Sequence, residues 1–172
     1  KKPYIKISNK YLYNFCTQNF FSENNVLATN GDEQDKIFLK KNNKFSTLTV
    51  GNTKSSVETL IKSLENNILK NYMDILIMPC DASIDIDWKK FVKFLHSKAK
   101  IDGIVFSYRN YPLAKWMPHQ YSWIDEGSNN KINNIGLKRG WNKNYSNPIV
   151  TGYFWFPNTD ILKKKLKDFI IF

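Results

Sequence analysis

The sequence predicts an α/β fold: a mostly parallel sheet flanked by helices, with an inserted β-hairpin. Residues 73–81 are an apolar run that stops at Asp81. Such a run reads as a buried strand of a parallel sheet, with its aspartate at the carboxyl end, where open α/β sheets place their ligands. The segments on both sides of that strand have helical periodicity. Beyond Tyr108 the pattern changes to two short strands around the turn Glu126-Gly127-Ser128-Asn129-Asn130.

The elements follow in order. Residues 3–7 make a short strand or the lead-in to one, and 10–19 a helix with Leu12, Phe15 and Cys16 inward. Residues 25–29 read as a strand ending at Asn30-Gly31-Asp32, 33–40 as a helix and 45–50 as a strand. Within 57–69, Val57, Leu60, Ile61, Leu64 and Ile68 fall near one face of a helix. After the strand at 73–81 comes a helix over 88–96, in which Trp88, Phe91, Val92 and Leu95 repeat at three-four spacing behind Asp87 as N-cap. Residues 101–108 form the next buried strand, with Gly103 inside it. Residues 121–125 and 131–135 pair as the hairpin, 149–156 is a further strand and 161–172 a helix.

Composition bounds the function. A chain of 172 residues with 42% hydrophobic and 15% aromatic residues buries one substantial core. No stretch approaches the roughly 20 apolar residues of a membrane helix, and no basic segment followed by an apolar one opens the chain. The sequence therefore reads as cytoplasmic. Two cysteines cannot build a disulfide framework, and Cys80, inside a predicted core strand, suits a reduced buried thiol. With only His96 and His119 beside them, they do not suggest a zinc site. The net charge of +11 draws anionic partners, yet the lysines are scattered with short clusters at Lys40-Lys41 and Lys163-Lys164-Lys165, which fits a solvated lysine-rich surface. No base-reading motif is present, so nucleic acid is not the expected partner.

Lys2-Pro3-Tyr4-Ile5-Lys6-Ile7, Asn30-Gly31, Gly51-Asn52-Thr53-Lys54-Ser55-Ser56, Ile77-Met78-Pro79-Cys80-Asp81, Tyr121-Ser122-Trp123, Lys138-Arg139 and Thr151-Gly152-Tyr153-Phe154-Trp155-Phe156 follow one another along nearly the whole chain. In that order and spacing they resemble the sugar-phosphate nucleotidyltransferase family, and the resemblance implies a Rossmann-like mixed sheet of the nucleotide-diphosphosugar transferase type. The resemblance implies attack of a sugar phosphate, or a similar small phosphate, on the α-phosphorus of a nucleoside triphosphate. The products are pyrophosphate and a nucleotide-activated precursor for surface polysaccharide.

Residue roles carry over position by position. Asp81 is implied to bind Mg²⁺ between protein and triphosphate, a task for a hard carboxylate oxygen; a turn or capping aspartate is its alternative reading. Asp85 and Asp87 lie close by, Asp87 being better suited to capping its helix. Lys2 is implied to hold the α-phosphate and Lys138 the phosphate of the nucleophile, bringing two mutually repelling anions into line. Thr53, Ser55 and Ser56, with Cys80, are implied to meet the nucleotide, although a serine ahead of a helix is equally a cap. Tyr121 and the Thr151-Gly152 pair are implied to meet the acceptor; cross-strand aromatic pairing and a bulge explain them as well.

Two departures accompany the matches. The family's Gly-rich loop and its arginine normally precede the Lys-Pro pair, and the chain closes on Phe169-Ile170-Ile171-Phe172. It reads as a single nucleotidyltransferase-like domain, 1–172, truncated at both ends. Leu137 stands where many members carry a glutamate that touches the sugar. A glycosyltransferase of the same fold, using a nucleotide sugar, is the alternative enzyme, disfavoured because Asp81-Ala82-Ser83 lacks the usual Asp-x-Asp. A degenerate nucleotide-binding module is the non-enzymatic alternative.

Overall fold

Apolar β-branched and aromatic runs bounded by Gly, Asn and Pro form most of the strands, as their packing on a pleated surface favours. The computed structural model describes residues 4–17, 24–41, 45–69, 72–97, 100–138 and 146–170. A tight hairpin of β1 (Lys6–Ile7) and β2 (Lys10–Tyr11) precedes α1 (Leu12–Thr17), where the sequence pattern predicts a helix from residue 10. Ser8 and Asn9 both have positive φ, 47° and 67°. This is the two-residue turn whose twist matches paired strands, and it delays the helix by two residues.

β3 (Val26–Thr29) and β4 (Ser46–Thr49) pair in parallel across α2 (Glu33–Lys41). Phe38 of α2 gathers three rings, with Tyr4 stacked at 4.2 Å and Tyr11 and Tyr13 edge-on at 4.9 and 5.0 Å. Each such pair contributes about 0.5–1.5 kcal/mol beyond its buried area, and together they fix the hairpin and α1 to α2. Asp35 is 1% exposed; it accepts hydrogen bonds from the Gly31 N–H at 2.9 Å and from the Tyr4 hydroxyl. Gly31, at φ 76°, lies so close to Thr49 that a Cβ would meet its Cγ2 at 2.3 Å. Only glycine permits that junction.

α3 (Ser56–Leu64) is shorter than its periodicity predicts. The Asn66 side chain accepts the Ile68 N–H at 3.1 Å and diverts the backbone into a 3₁₀ turn, Asn67–Leu69.

The larger sheet is built from β5 (Ile75–Ile77), β6 (Ile104–Tyr108), β7 (Trp123–Glu126), β8 (Ile132–Gly136) and β9 (Ile149–Phe156). β9 is its spine. β6 pairs along one edge of it, from Ile104 opposite Trp155 to Tyr108 opposite Ile149. β5 pairs with 154–156 and β7 with Ile149, partners that β6 also uses, so β5 and β7 occupy the other edge in tandem. Both β5 and β6 run antiparallel to β9 and hence in the same sense as each other. The mixed α/β architecture is therefore present, with β5, β6 and β7 running one way and β8 and β9 the other, so that every pairing in this sheet is antiparallel and the parallel pairing is that of β3 with β4. β7 and β8 form the inserted hairpin.

α4 (Trp88–Ser97) lies on this sheet, with Phe91 at 5.4 Å from Phe106 and edge-on to Trp155 at 6.2 Å. Asp87 caps it as expected, accepting the Lys90 N–H at 3.0 Å. α5 (Pro112–Trp116) was not foreseen in the sequence pattern; its Ala114 completes a core with Trp123 and Ile149, against which Tyr111 and Tyr121 pack. α6 (Thr159–Ile170) begins two residues before the predicted start, because Asn158 accepts the Ile161 N–H at 2.9 Å and Thr159 bonds to the carbonyls of Tyr72 and Met73. Asp160 sits in the first turn of this helix. Among the described residues no helix is long and apolar enough to cross a membrane.

Candidate functional site

Strand pairing leaves a gap on one edge of β9. β5 ends at Ile77 opposite Phe154 and β7 begins at Trp123 opposite Ile149, so the edge at 150–153 has no strand beside it. The chain leaving β5 enters this gap from one side, and the chain approaching β7 enters from the other, where the Val150 N–H bonds to the Ser122 carbonyl at 2.9 Å. The floor is Thr151-Gly152-Tyr153. A break of this kind at strand ends is where open α/β sheets accommodate ligands.

The floor is bulged. Between Val105 opposite Phe154 and Ser107 opposite Val150, β6 contributes one residue and β9 three. Gly152 takes φ 89°, and a Cβ on it would lie 3.4 Å from Pro79. The bare backbone of Gly152 thus abuts the segment leading to Cys80 and Asp81, and the sequence alternative of a bulge at Thr151-Gly152 is what the structure contains. The Thr151 hydroxyl donates to the Phe106 carbonyl at 2.8 Å and accepts the Tyr153 N–H at 3.3 Å, holding the bulge.

Asp81 is exposed in the turn that follows β5. Cys80 corrects the expectation of a buried core thiol: hydrogen bonding of β5 stops at Ile77, and Cys80 is an exposed residue of the turn. β9 reaches only as far as Ile75 to Ile77 in pairing with β5, so the apolar run outlasts the strand. Cys16 is buried, as expected.

Tyr153 is a residue whose role the sequence concealed. Its hydroxyl donates to the Ala82 carbonyl at 2.7 Å and takes a hydrogen bond from the Ile84 backbone, clamping the acidic turn from below. A tyrosine among the phenylalanines and tryptophan of 153–156 was the available signal, since a buried phenol needs a partner. Ser83 adds a bond of 3.2 Å to the Phe15 carbonyl, joining the turn to α1.

Burial, followed by the nearby Cys16 thiol, pushes the Tyr153 phenol up from 10.0 to about 12. Cys16 is raised from 9.0 by burial and by Cys80 and Asp81, and Tyr4 lies well above the ordinary tyrosine range through burial and its bond to Asp35, with Cys80 contributing. All three are protonated when the protein is folded and release protons more readily when it is unfolded. Their stabilisation is complete below about pH 9 and is lost as pH rises through the folded values. Urea denaturation from pH 8 upward should therefore show stability falling above about pH 9. Tyr153→Phe should remove about 2 kcal/mol of the decline between the Tyr153 values of 10.0 and 12. An unchanged decline would exclude Tyr153 as its source.

Gly136 pairs with Trp123, so Leu137 and Lys138 leave β8 at the level of Ser122 and Tyr121. Lys138 is exposed and has φ 54°. Tyr121 is half-buried, edge-on to Tyr111 at 5.6 Å, and Tyr111 is edge-on to Tyr108 at 5.4 Å. This ladder extends the aromatic wall beyond the residues that the sequence suggests. Burial, and then Tyr111, raise the Tyr121 phenol.

Thr53, Ser55 and Ser56 follow β4, whose carboxyl end lies beside that of β3. Ser55 is the N-cap of α3, accepting the Glu58 N–H at 3.1 Å, while Thr53 shares a hydroxyl contact of 2.6 Å with Thr59. The Ser56 side chain is exposed. Tyr4 bonds to Asp35 of α2 and lies within electrostatic reach of Cys80. Lys2 lies outside the described residues.

Among the described residues, no three His, Cys, Asp or Glu side chains gather into a metal cage. One exposed carboxylate in the turn after β5, with Asp85 also exposed, would suit Mg²⁺, which takes one or two carboxylates and completes its shell with substrate phosphates and water. Asp87 is committed elsewhere: its carboxyl is held low by the Lys90 backbone and side chain, which bind it at 3.0 and 3.1 Å.

No protein-family model matches the chain, and no curated protein matches it in sequence. Solved structures do. A nucleoside-diphosphate-sugar pyrophosphorylase from Vibrio cholerae RC9 superposes with a TM-score of 0.69 at 13% identity, over 98% of this chain and 70% of that one. A 4-diphosphocytidyl-2C-methyl-D-erythritol synthase from Anaerococcus prevotii gives 0.55 at 12% identity, over 100% of this chain and 70% of that one. At these identities the likeness is one of fold.

Proposed function

We propose that the chain is a Mg²⁺-dependent nucleotidyltransferase domain. A phosphate oxygen of a sugar phosphate, or a similar small phosphate, attacks the α-phosphorus of a nucleoside triphosphate. The bond from that phosphorus to the α–β bridging oxygen breaks, and pyrophosphate leaves. What supports this reading is the gap on β9: its floor is opened at Gly152, the segment leading to the exposed Asp81 lies against that glycine through Pro79, and Lys138 leaves the hairpin at the level of Tyr121. Its fold is shared with a nucleoside-diphosphate-sugar pyrophosphorylase.

In this reading Asp81 holds Mg²⁺, with Asp85 as the neighbouring carboxylate, and the bound ion supplies charge neutralisation at the triphosphate. Lys138 receives the acceptor phosphate, and Lys2 the α-phosphate. Phosphoryl transfer asks little covalent work of a protein, so the contribution of these cations is alignment of two anions. Gly152 lets the acceptor approach the backbone, while Tyr121 forms an apolar side of its pocket. Ser56 and the backbone around Thr53, Ser55 and Cys80 are left for the nucleotide, because the Ser55 hydroxyl is occupied as a cap. The product would be a nucleotide-activated precursor for surface polysaccharide, made in the cytoplasm, where nucleoside triphosphates are available.

The test is thermal stability of the protein against each of the four ribonucleoside triphosphates, with and without Mg²⁺. A metal-dependent rise in Tm for one nucleotide is expected from ligand linkage, followed by pyrophosphate release once the acceptor is added. No shift with any triphosphate, but a shift with a nucleotide sugar, would replace this reading with a glycosyltransferase.

A further inference from the structure

We propose that the outward flank of α4 is a docking surface for an anionic lipid bilayer. Trp88, Lys89, Val92, Lys93 and His96 line a shallow recess on this one helix. Its walls are almost wholly apolar, as lysine stems allow when their charged ends stay in water. Val92 and Phe94 remain 48% and 41% exposed on opposite sides of the lysine ridge, although Phe91 on the same helix packs into the sheet.

Charge selects the occupant. Lys90 is paired with Asp87 at 3.1 Å, but Lys89 and Lys93 make no ion pair among the described residues. The whole chain carries +11, so a second copy would be repelled and a negative surface attracted. A nucleic-acid backbone is matched by a stripe of cations. Here the cations instead rim apolar groups, including an indole, which is the composition that rests at the boundary between headgroups and acyl chains. The proposal does not depend on the reaction proposed at the gap on β9.

Sedimentation of the protein with phosphatidylcholine vesicles, with and without an equal part of phosphatidylglycerol, tests the assignment. Binding is expected only to the anionic vesicles and should weaken as salt is raised. Lys89→Glu combined with Lys93→Glu should reduce partition by about tenfold or more. Val92→Asn, which leaves the charge unchanged, should weaken it severalfold. Lys164→Glu with Lys165→Glu, on the exposed side of α6, should have a much smaller effect than the α4 pair. The proposal is overturned by absence of binding, by equal losses from the α4 and α6 pairs, or by Val92→Asn having no effect. It is also overturned if polyglutamate or RNA, and not vesicles, binds in an α4-dependent way, which would assign the face to an acidic protein or to nucleic acid.

Discussion

Asp81→Asn is expected to abolish metal-dependent triphosphate binding while leaving the fold intact. The substitution keeps shape and removes the charge that a hard cation requires, and loss of a carboxylate ligand should cost about 100-fold or more in Mg²⁺-dependent affinity. Stability should change by no more than about 0.5 kcal/mol, because Asp81 is exposed in a turn that other residues hold. Isothermal titration with the preferred triphosphate, with and without Mg²⁺, separates the two effects. Asp85→Asn should weaken binding less. Unchanged Mg²⁺ dependence in the Asp81 variant would remove this residue from the site.

Trp123→Ala is expected to be the most destabilising single change at the base of the hairpin. Trp123 is 1% exposed, packs with Ala114 and Ile149, and donates from its ring nitrogen to the Pro118 carbonyl at 2.9 Å. Truncating a buried tryptophan costs about 3–5 kcal/mol, a large part of the roughly 5–15 kcal/mol that holds a domain folded. Urea denaturation reads this directly. Trp123→Phe should cost less, about 1–3 kcal/mol, since much of the packing survives while the Pro118 carbonyl loses its donor. Equal, small losses in both variants would mean that the hairpin does not depend on this core.

Much of this architecture is legible in the residues themselves. The strands near 75, 104 and 149 are apolar runs bounded by breakers, and the hairpin is announced by Gly127 and the asparagines beside it. Asp87 reads as a cap and is one. Features set by distant partners were not legible. β5 ends at Ile77, where its pairing with β9 stops short of the bulge at Thr151-Gly152, and this exposes Cys80 despite its apolar surroundings in sequence. α1 starts late because Ser8 and Asn9 adopt a turn whose worth depends on β1 pairing with β2. The asparagine that ends α3 competes locally with the helix, an effect that hydrophobic periodicity does not register.

The candidate site follows the same division. The turn that carries Asp81 was legible from its place after an apolar strand. The clamp beneath it was hidden, because it joins residues separated by 71 positions.

That clamp bears on speed. With the Ala82 carbonyl fixed by Tyr153, the Ser83 hydroxyl bonded to α1 and Pro79 lying against Gly152, the turn is shaped before any ligand arrives. A receptor formed in advance has little ordering left to do at encounter. Capture of a polyanion at such a turn would be limited by the rate of collision, quickened by the chain's positive field, and not by the waiting time for a loop to close.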